Sequence, residues 1–152
     1  MSYDLTFLAR TAEQSWDEAI EAAQEVESYG PPDVRVWRAI LDGARGVLGE
    51  VDVFESDDWY ELTHESTGIQ VSLFAAEAGM TVPYHYAGED AKAVLLLVYR
   101  IGRVVERATG WSGYDPQVEM PIAEAATQIG LGVATFDRVV EFLADLPNTK
   151  PA

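Results

Sequence analysis

The sequence predicts an α+β single domain, a mostly antiparallel sheet of four to six strands with helices packed on one face. Three observations carry that prediction. Apolar residues alternate with period two at the start of the chain and through its middle, and stretches of helical period precede and follow the middle strands. No repeat, low-complexity segment or linker divides the 152 residues, so residues 1–152 read as one unit. A chain of that length buries enough surface for one core without disulfides or metals.

Residues 3–9 form the first expected strand, with Tyr3, Leu5 and Phe7 on one face and Asp4 and Thr6 on the other. Thr11 or Ser15 can cap the helix that follows, since Ser15 and Glu18 have capping-box spacing. Its apolar stripe is Trp16, Ala19, Ile20, Ala23 and Val26, and Gly30-Pro31-Pro32 stops it. Asp33 caps a second helix to about residue 48, with Val34, Trp37, Leu41, Ala44 and Leu48 at helical spacing. Residues 50–55, 59–65, 68–75 and 80–86 read as strands, the second and third forming a hairpin. Pro83 puts the last of these at an edge or at the end of a ladder.

A long helix is expected from Gly88 to about Ala108, its stripe running from Val94 through Leu97, Val98, Ile101, Val104 and Val105. Leu96 and Tyr99 fall off that stripe, which suggests a second covered side and a homodimer contact. Residues 111–114 make a last strand. The segment 118–152 is a C-terminal extension, irregular or briefly helical to 132, then a closing helix over 133–146 with Phe136, Val139, Val140 and Leu143 inward. First and last strands are expected side by side through crossover connections, in a ferredoxin-like manner.

Composition removes whole function classes. The 26 acids and 10 bases give a net charge of -16, which leaves no basic face for nucleic acid. The absence of cysteine excludes disulfides, thiolate nucleophiles and iron–sulfur clusters. A hydrophobic content of 48% argues against disorder. The start lacks a basic region, so no signal peptide is expected. Residues 93–99, the most apolar run, are far too short to span a membrane. A cytoplasmic protein is expected. The acids are clustered: residues 1–32 hold seven against one base, and residues 50–66 hold seven against none.

The opening Ser2-Tyr3-Asp4-Leu5 and the late Gly113-Tyr114-Asp115-Pro116-Gln117 together resemble a family of small, uncharacterised bacterial proteins. Its members begin with an MSYDL strand and carry a YDPQ-type motif after their long helix. Thr67–Leu73 (TGIQVSL) and Val82-Pro83-Tyr84 are similar as well, so the likeness runs from residue 2 to about 117. The resemblance implies no established activity, and some relatives look like immunity proteins of bacterial toxin systems.

Two sets of residues could carry function. Asp115 and Gln117 end a predicted strand, where ligand sites gather; with Tyr84, His85 and Tyr114 they form a candidate small-molecule or catalytic site. Against this, Asp115 can equally make an Asx turn stiffened by Pro116. His64 and His85 are the only imidazoles and are expected on different faces, so no metal or cofactor site is predicted. Asp52, Glu55, Asp57 and Asp58 lack the loop glycine of a calcium site. Gly130-Leu131-Gly132 lacks the third glycine of a dinucleotide fingerprint.

The second set is the acidic surface of residues 13–27 and 50–65. Asp17, Glu21, Asp57 and Asp58 would meet a basic protein partner, with Trp16, Trp59 and Tyr60 as anchors. Its bland alternative is a charged face that serves solubility. The leading expectation is a non-enzymatic, immunity-like protein-binding domain; the alternative is a small-molecule-binding domain or enzyme at Tyr84, His85, Asp115 and Gln117.

Overall fold

Strand β1 (Ser2–Leu8) is set by its alternation, which sends Tyr3, Leu5 and Phe7 to the core with 2% exposure or less. The computed structural model describes residues 2–25 and 30–145. Helix α1 (Trp16–Glu25) starts at Ser15, whose Oγ accepts the Glu18 N–H at 3.1 Å. Helix α2 (Val34–Leu48) starts at Asp33, whose carboxylate accepts the N–H groups of Arg35 and Val36 at 2.8 and 3.3 Å. Both caps fall where the sequence puts them, since each supplies an acceptor to otherwise unpaired first-turn donors. Val26 and Glu27, expected on the first helix, lie outside the described residues, as does Leu146.

The middle forms a meander of β2 (Asp52–Glu55), β3 (Tyr60–His64), β4 (Ile69–Leu73) and β5 (Glu77–Pro83). Helix α3 (Gly88–Thr109) leads to β6 (Ser112–Asp115) and β7 (Met120–Pro121), then α4 (Ile122–Thr127) and α5 (Ile129–Asp145). All pairings are antiparallel, in the order β2-β3-β4-β5-β1-β6-β7. The sheet has seven strands, more than the four to six expected, because residues 120 and 121 pair back onto β6. The ferredoxin-like scheme has four strands and does not describe the whole sheet. The expected adjacency of β1 and the strand after the long helix is present. Pro83 closes its ladder opposite Ser2, where a missing N–H costs least.

Helices α2, α3 and α5 cover the face of Tyr3, Leu5 and Phe7, with α3 between the other two. Trp37 of α2 packs on Tyr60 at 5.6 Å, and Phe136 of α5 stacks on Tyr3 at 5.0 Å. Helix α1 departs from the one-face expectation. Its Trp16 stacks on Tyr114 at 4.7 Å, and Ile20 lines one cavity with Thr6 and Leu8, the residues that alternate with the core-facing set. Leu8 is consequently 2% exposed although it lies off the main core.

The closing helix starts four residues earlier than expected because Gly130 and Gly132 are helical. Gly132 is needed there: a Cβ would lie 2.8 Å from Leu95 Cδ1 and 3.0 Å from the Tyr3 hydroxyl. Further along, Phe142 and Leu143 are 58% and 46% exposed, so Leu143 does not point inward as expected.

Close approach also fixes Gly113, where a Cβ would overlap Ile122 and press on the Phe7 ring. Gly113→Ala is therefore expected to destabilise the fold by about 1–3 kcal/mol through overpacking. Gly46, inside α2, has nothing within 4 Å of an added Cβ. Gly46→Ala is expected to stabilise by about 0.5–1 kcal/mol, through helix propensity alone. Urea unfolding midpoints of the two variants should shift in opposite directions, with m unchanged.

Candidate functional site

The opening strand and the segment that follows the long helix bond directly to each other. Asp115 is fully buried at the end of β6. Its Oδ2 accepts the hydroxyls of Tyr3 at 2.5 Å and Tyr99 at 2.8 Å, and its Oδ1 accepts the Gln117 N–H at 3.0 Å. Burial raises its carboxyl above the ordinary range, and the bonds from Tyr3, Tyr99 and the backbone of Gln117 and Val118 hold it down in part. The Tyr3 and Tyr99 hydroxyls are pushed up in turn, first by burial and then by the Asp115 charge.

Gln117 completes the clasp. The β1–β6 register, Thr6 opposite Tyr114, would set Asp4 opposite Pro116, which has no N–H to give. The Gln117 side-chain amide takes over that role. It accepts the Asp4 N–H through Oε1 and donates Nε2–H to the Asp4 carbonyl at 2.9 Å. An amide side chain has the same donor and acceptor as a peptide unit, so it can stand in for a strand partner.

The five residues of the alternative ligand site are divided between the two faces of the sheet. Tyr84 packs its ring on Tyr3 and Phe136 at 6.0 and 5.1 Å, and its hydroxyl is raised by burial and then by Asp4 and Asp115. His85 is exposed with its ring 4.3 Å from Tyr86. Tyr114 lies on the opposite face under Trp16. None of the four described cavities is lined by Tyr84, His85, Tyr114, Asp115 or Gln117. His64 is tied by Nδ1 to Thr67 Oγ1 at 2.7 Å. Among the described residues no group of three acidic or histidine side chains could hold a metal ion.

The two acidic blocks lie far apart. Helix α1 sits over β1 and β6, whereas the second block occupies β2 and β3 at the other edge. Five strand intervals separate β2 from β6, about 24 Å at ordinary strand spacing. Asp17 and Glu21 are exposed on α1, but Trp16 is engaged by Tyr114 and by the Arg10 guanidinium, 4.8 Å from its ring. Tyr60 is only 9% exposed and packs on Trp37, so it belongs to the core and is not a surface anchor. Tyr99, expected at a dimer contact, is turned inward to Asp115, whereas Leu96 is exposed.

The β2 edge has a different character. All four of its residues are exposed, and among the described residues no strand pairs its outer side. Val53 is 40% and Phe54 50% exposed, and Trp59 lies 5.6 Å from Phe54. Ser56 shapes the turn beside them: its Oγ accepts the N–H groups of Asp58 and Trp59 at 3.2 and 3.1 Å. Asp57 and Asp58 therefore stand exposed at one end of the strand. At the other end is a polar cleft of about 460 Å³ lined by Glu50, Asp52, His64 and Glu65. Glu55 alone turns back, accepting the Trp37 indole N–H at 3.0 Å. Among the described residues the one salt bridge is Arg103–Glu106 at 3.5 Å, so none of these edge acids is neutralised by a neighbouring base. The sequence contains Val53 and Phe54 in a short strand, but alternation does not say which strand is an edge.

Tyr3→Phe and Tyr99→Phe are each expected to destabilise the fold by about 1.5–3 kcal/mol at neutral pH, since each removes a bond to a buried charge. Because the Asp115 pKa is raised, the folded chain binds that proton more tightly than the unfolded chain does. Its contribution to stability therefore grows as pH falls through the folded value. Losing a hydroxyl raises that value further, so each variant's deficit should be full where Asp115 is ionised and shrink as pH falls. Urea unfolding at several pH values measures this; a deficit independent of pH would contradict it.

Among the described residues no helix is long and apolar enough to cross a membrane. Comparison with known proteins finds no matching family model, no similar curated protein and no similar solved structure.

Proposed function

We propose that the protein is a non-enzymatic protein-binding domain, immunity-like in style, that captures a basic partner along β2 and blocks the partner's working surface. The observation that supports this reading is the exposed Val53–Phe54 pair on a strand that, among the described residues, is an unpaired edge bounded at both ends by acids without basic partners. An open edge strand is a template for strand addition, in which main-chain bonds give affinity and alternate side chains give specificity. Phe54 and Trp59 supply the apolar centre that hot spots require. Lysine or arginine side chains of the partner would meet Asp57 and Asp58 at one end and enter the cleft of Glu50, Asp52 and Glu65 at the other.

Asp17 and Glu21 on α1 have a different part in this reading. They lie too far from β2 to touch the same strand, and their charge adds to the field that steers a basic partner to the edge. Some members of the uncharacterised family that the chain resembles look like immunity proteins, which would suit a role by occlusion and without chemistry. A chain without cysteine suits the cytoplasm, where we take it to act.

The test uses an extended peptide of alternating lysine and valine, followed by fluorescence anisotropy against the full chain. Binding should weaken by about tenfold or more from low to high salt, because the interface is charged at both ends. Phe54→Ser should weaken binding by about tenfold at any salt, as loss of a central anchor does. Asp57→Asn with Asp58→Asn should mainly slow association. Salt-independent binding, or full binding by Phe54→Ser, would contradict the proposal.

A further inference from the structure

Another cavity lies away from the β2 edge, beneath α1. A cleft of about 480 Å³ opens there between the helix, the end of β1 and Gly110. Ala9, Ala19, Ala22, Ala23 and Ala76 line it, which leaves a largely apolar space of the size that small-molecule sites have. The polar side is supplied by Arg10 and Gln14.

Arg10 is the unusual member. Its Nε is out of solvent contact and has no hydrogen-bond acceptor among the described residues. Buried donors are nearly always paired, so an orphan of this kind needs an account. Nor does any carboxylate approach Arg10 within salt-bridge distance among the described residues, in a chain with 26 acids. The guanidinium is held in place over the Trp16 ring at 4.8 Å, and Trp16 is itself fixed by stacking on Tyr114 at 4.7 Å. A planar cation that lines an apolar cleft and has no carboxylate partner among the described residues matches a carboxylate attached to a hydrocarbon tail.

We infer that this cleft is a binding site for a small amphiphilic carboxylate, whose oxygens pair with the Arg10 guanidinium and whose tail fills the alanine-lined space. The site is independent of the β2 edge, and neither needs the other.

The experiment titrates the full chain with butanoate, hexanoate and octanoate, using octanol as the uncharged control, and follows backbone amides by NMR. Saturable shifts should appear at Ala19, Ala23, Ala76 and Gly110, with affinity rising about fourfold per added methylene. Arg10→Met should weaken octanoate binding by about tenfold or more and leave octanol binding unchanged, which separates loss of charge from loss of the pocket. Ala76→Phe, which fills the cleft, should abolish binding of both while thermal unfolding confirms that the chain still folds. The inference is overturned if octanoate gives no saturable shift, if its shifts map elsewhere, or if Arg10→Met binds it as well as the parent chain does.

Discussion

A single buried carboxylate ties the architecture together. Asp115 ends β6, and its two hydroxyl donors come from β1 and from α3, so one charge joins three elements far apart in sequence. Gly132 lets α5 close over the same point, within 3.0 Å of the Tyr3 hydroxyl for an added Cβ. A buried charge is tolerated only when its oxygens are satisfied, and removing one partner leaves an uncompensated charge. Every element that meets there is therefore constrained by the geometry of that carboxylate. The neighbouring amide of Gln117 extends the constraint along β1, by supplying Asp4 with the pairing that Pro116 cannot give.

Much of this was legible in the sequence where the cause is local. Ser15 and Asp33 announce their helices because a capping oxygen acts within three residues. The alternation of Tyr3, Leu5 and Phe7 reads directly as a strand with one core face. The long helix extends over nearly the range its apolar stripe implies. What escaped is long-range. Asp115 reads as a turn residue or a ligand, since no pattern links it to Tyr3 across 112 positions. Tyr99 falls off its helix's stripe and suggests a surface contact, because a stripe records apolar burial and not a tyrosine aimed at a carboxylate. Gly130 and Gly132 argue for a loop by propensity, and tertiary packing at Gly132 overrides it.

The same distinction sorts the candidate functional residues. Trp16 and Tyr60 combine aromatic character with acidic neighbours in sequence, yet one is stacked on Tyr114 and the other packs on Trp37. Net charge locates a field, whereas binding needs accessible apolar surface within that field. The β2 hairpin offers both, through Phe54 and Trp59 beside Asp57 and Asp58. The motif at Asp115 and Gln117, chemically the most suggestive in the sequence, is occupied in holding β1 against β6.

The most direct test of this division of roles is hydrogen exchange of the backbone amides, measured with and without the lysine–valine peptide. The account predicts new protection confined to β2 and its flanking turn, at Val53, Phe54 and Asp57, with exchange around Tyr84, His85, Tyr114 and Gln117 unchanged. Protection appearing at those four residues, with none along β2, would contradict it.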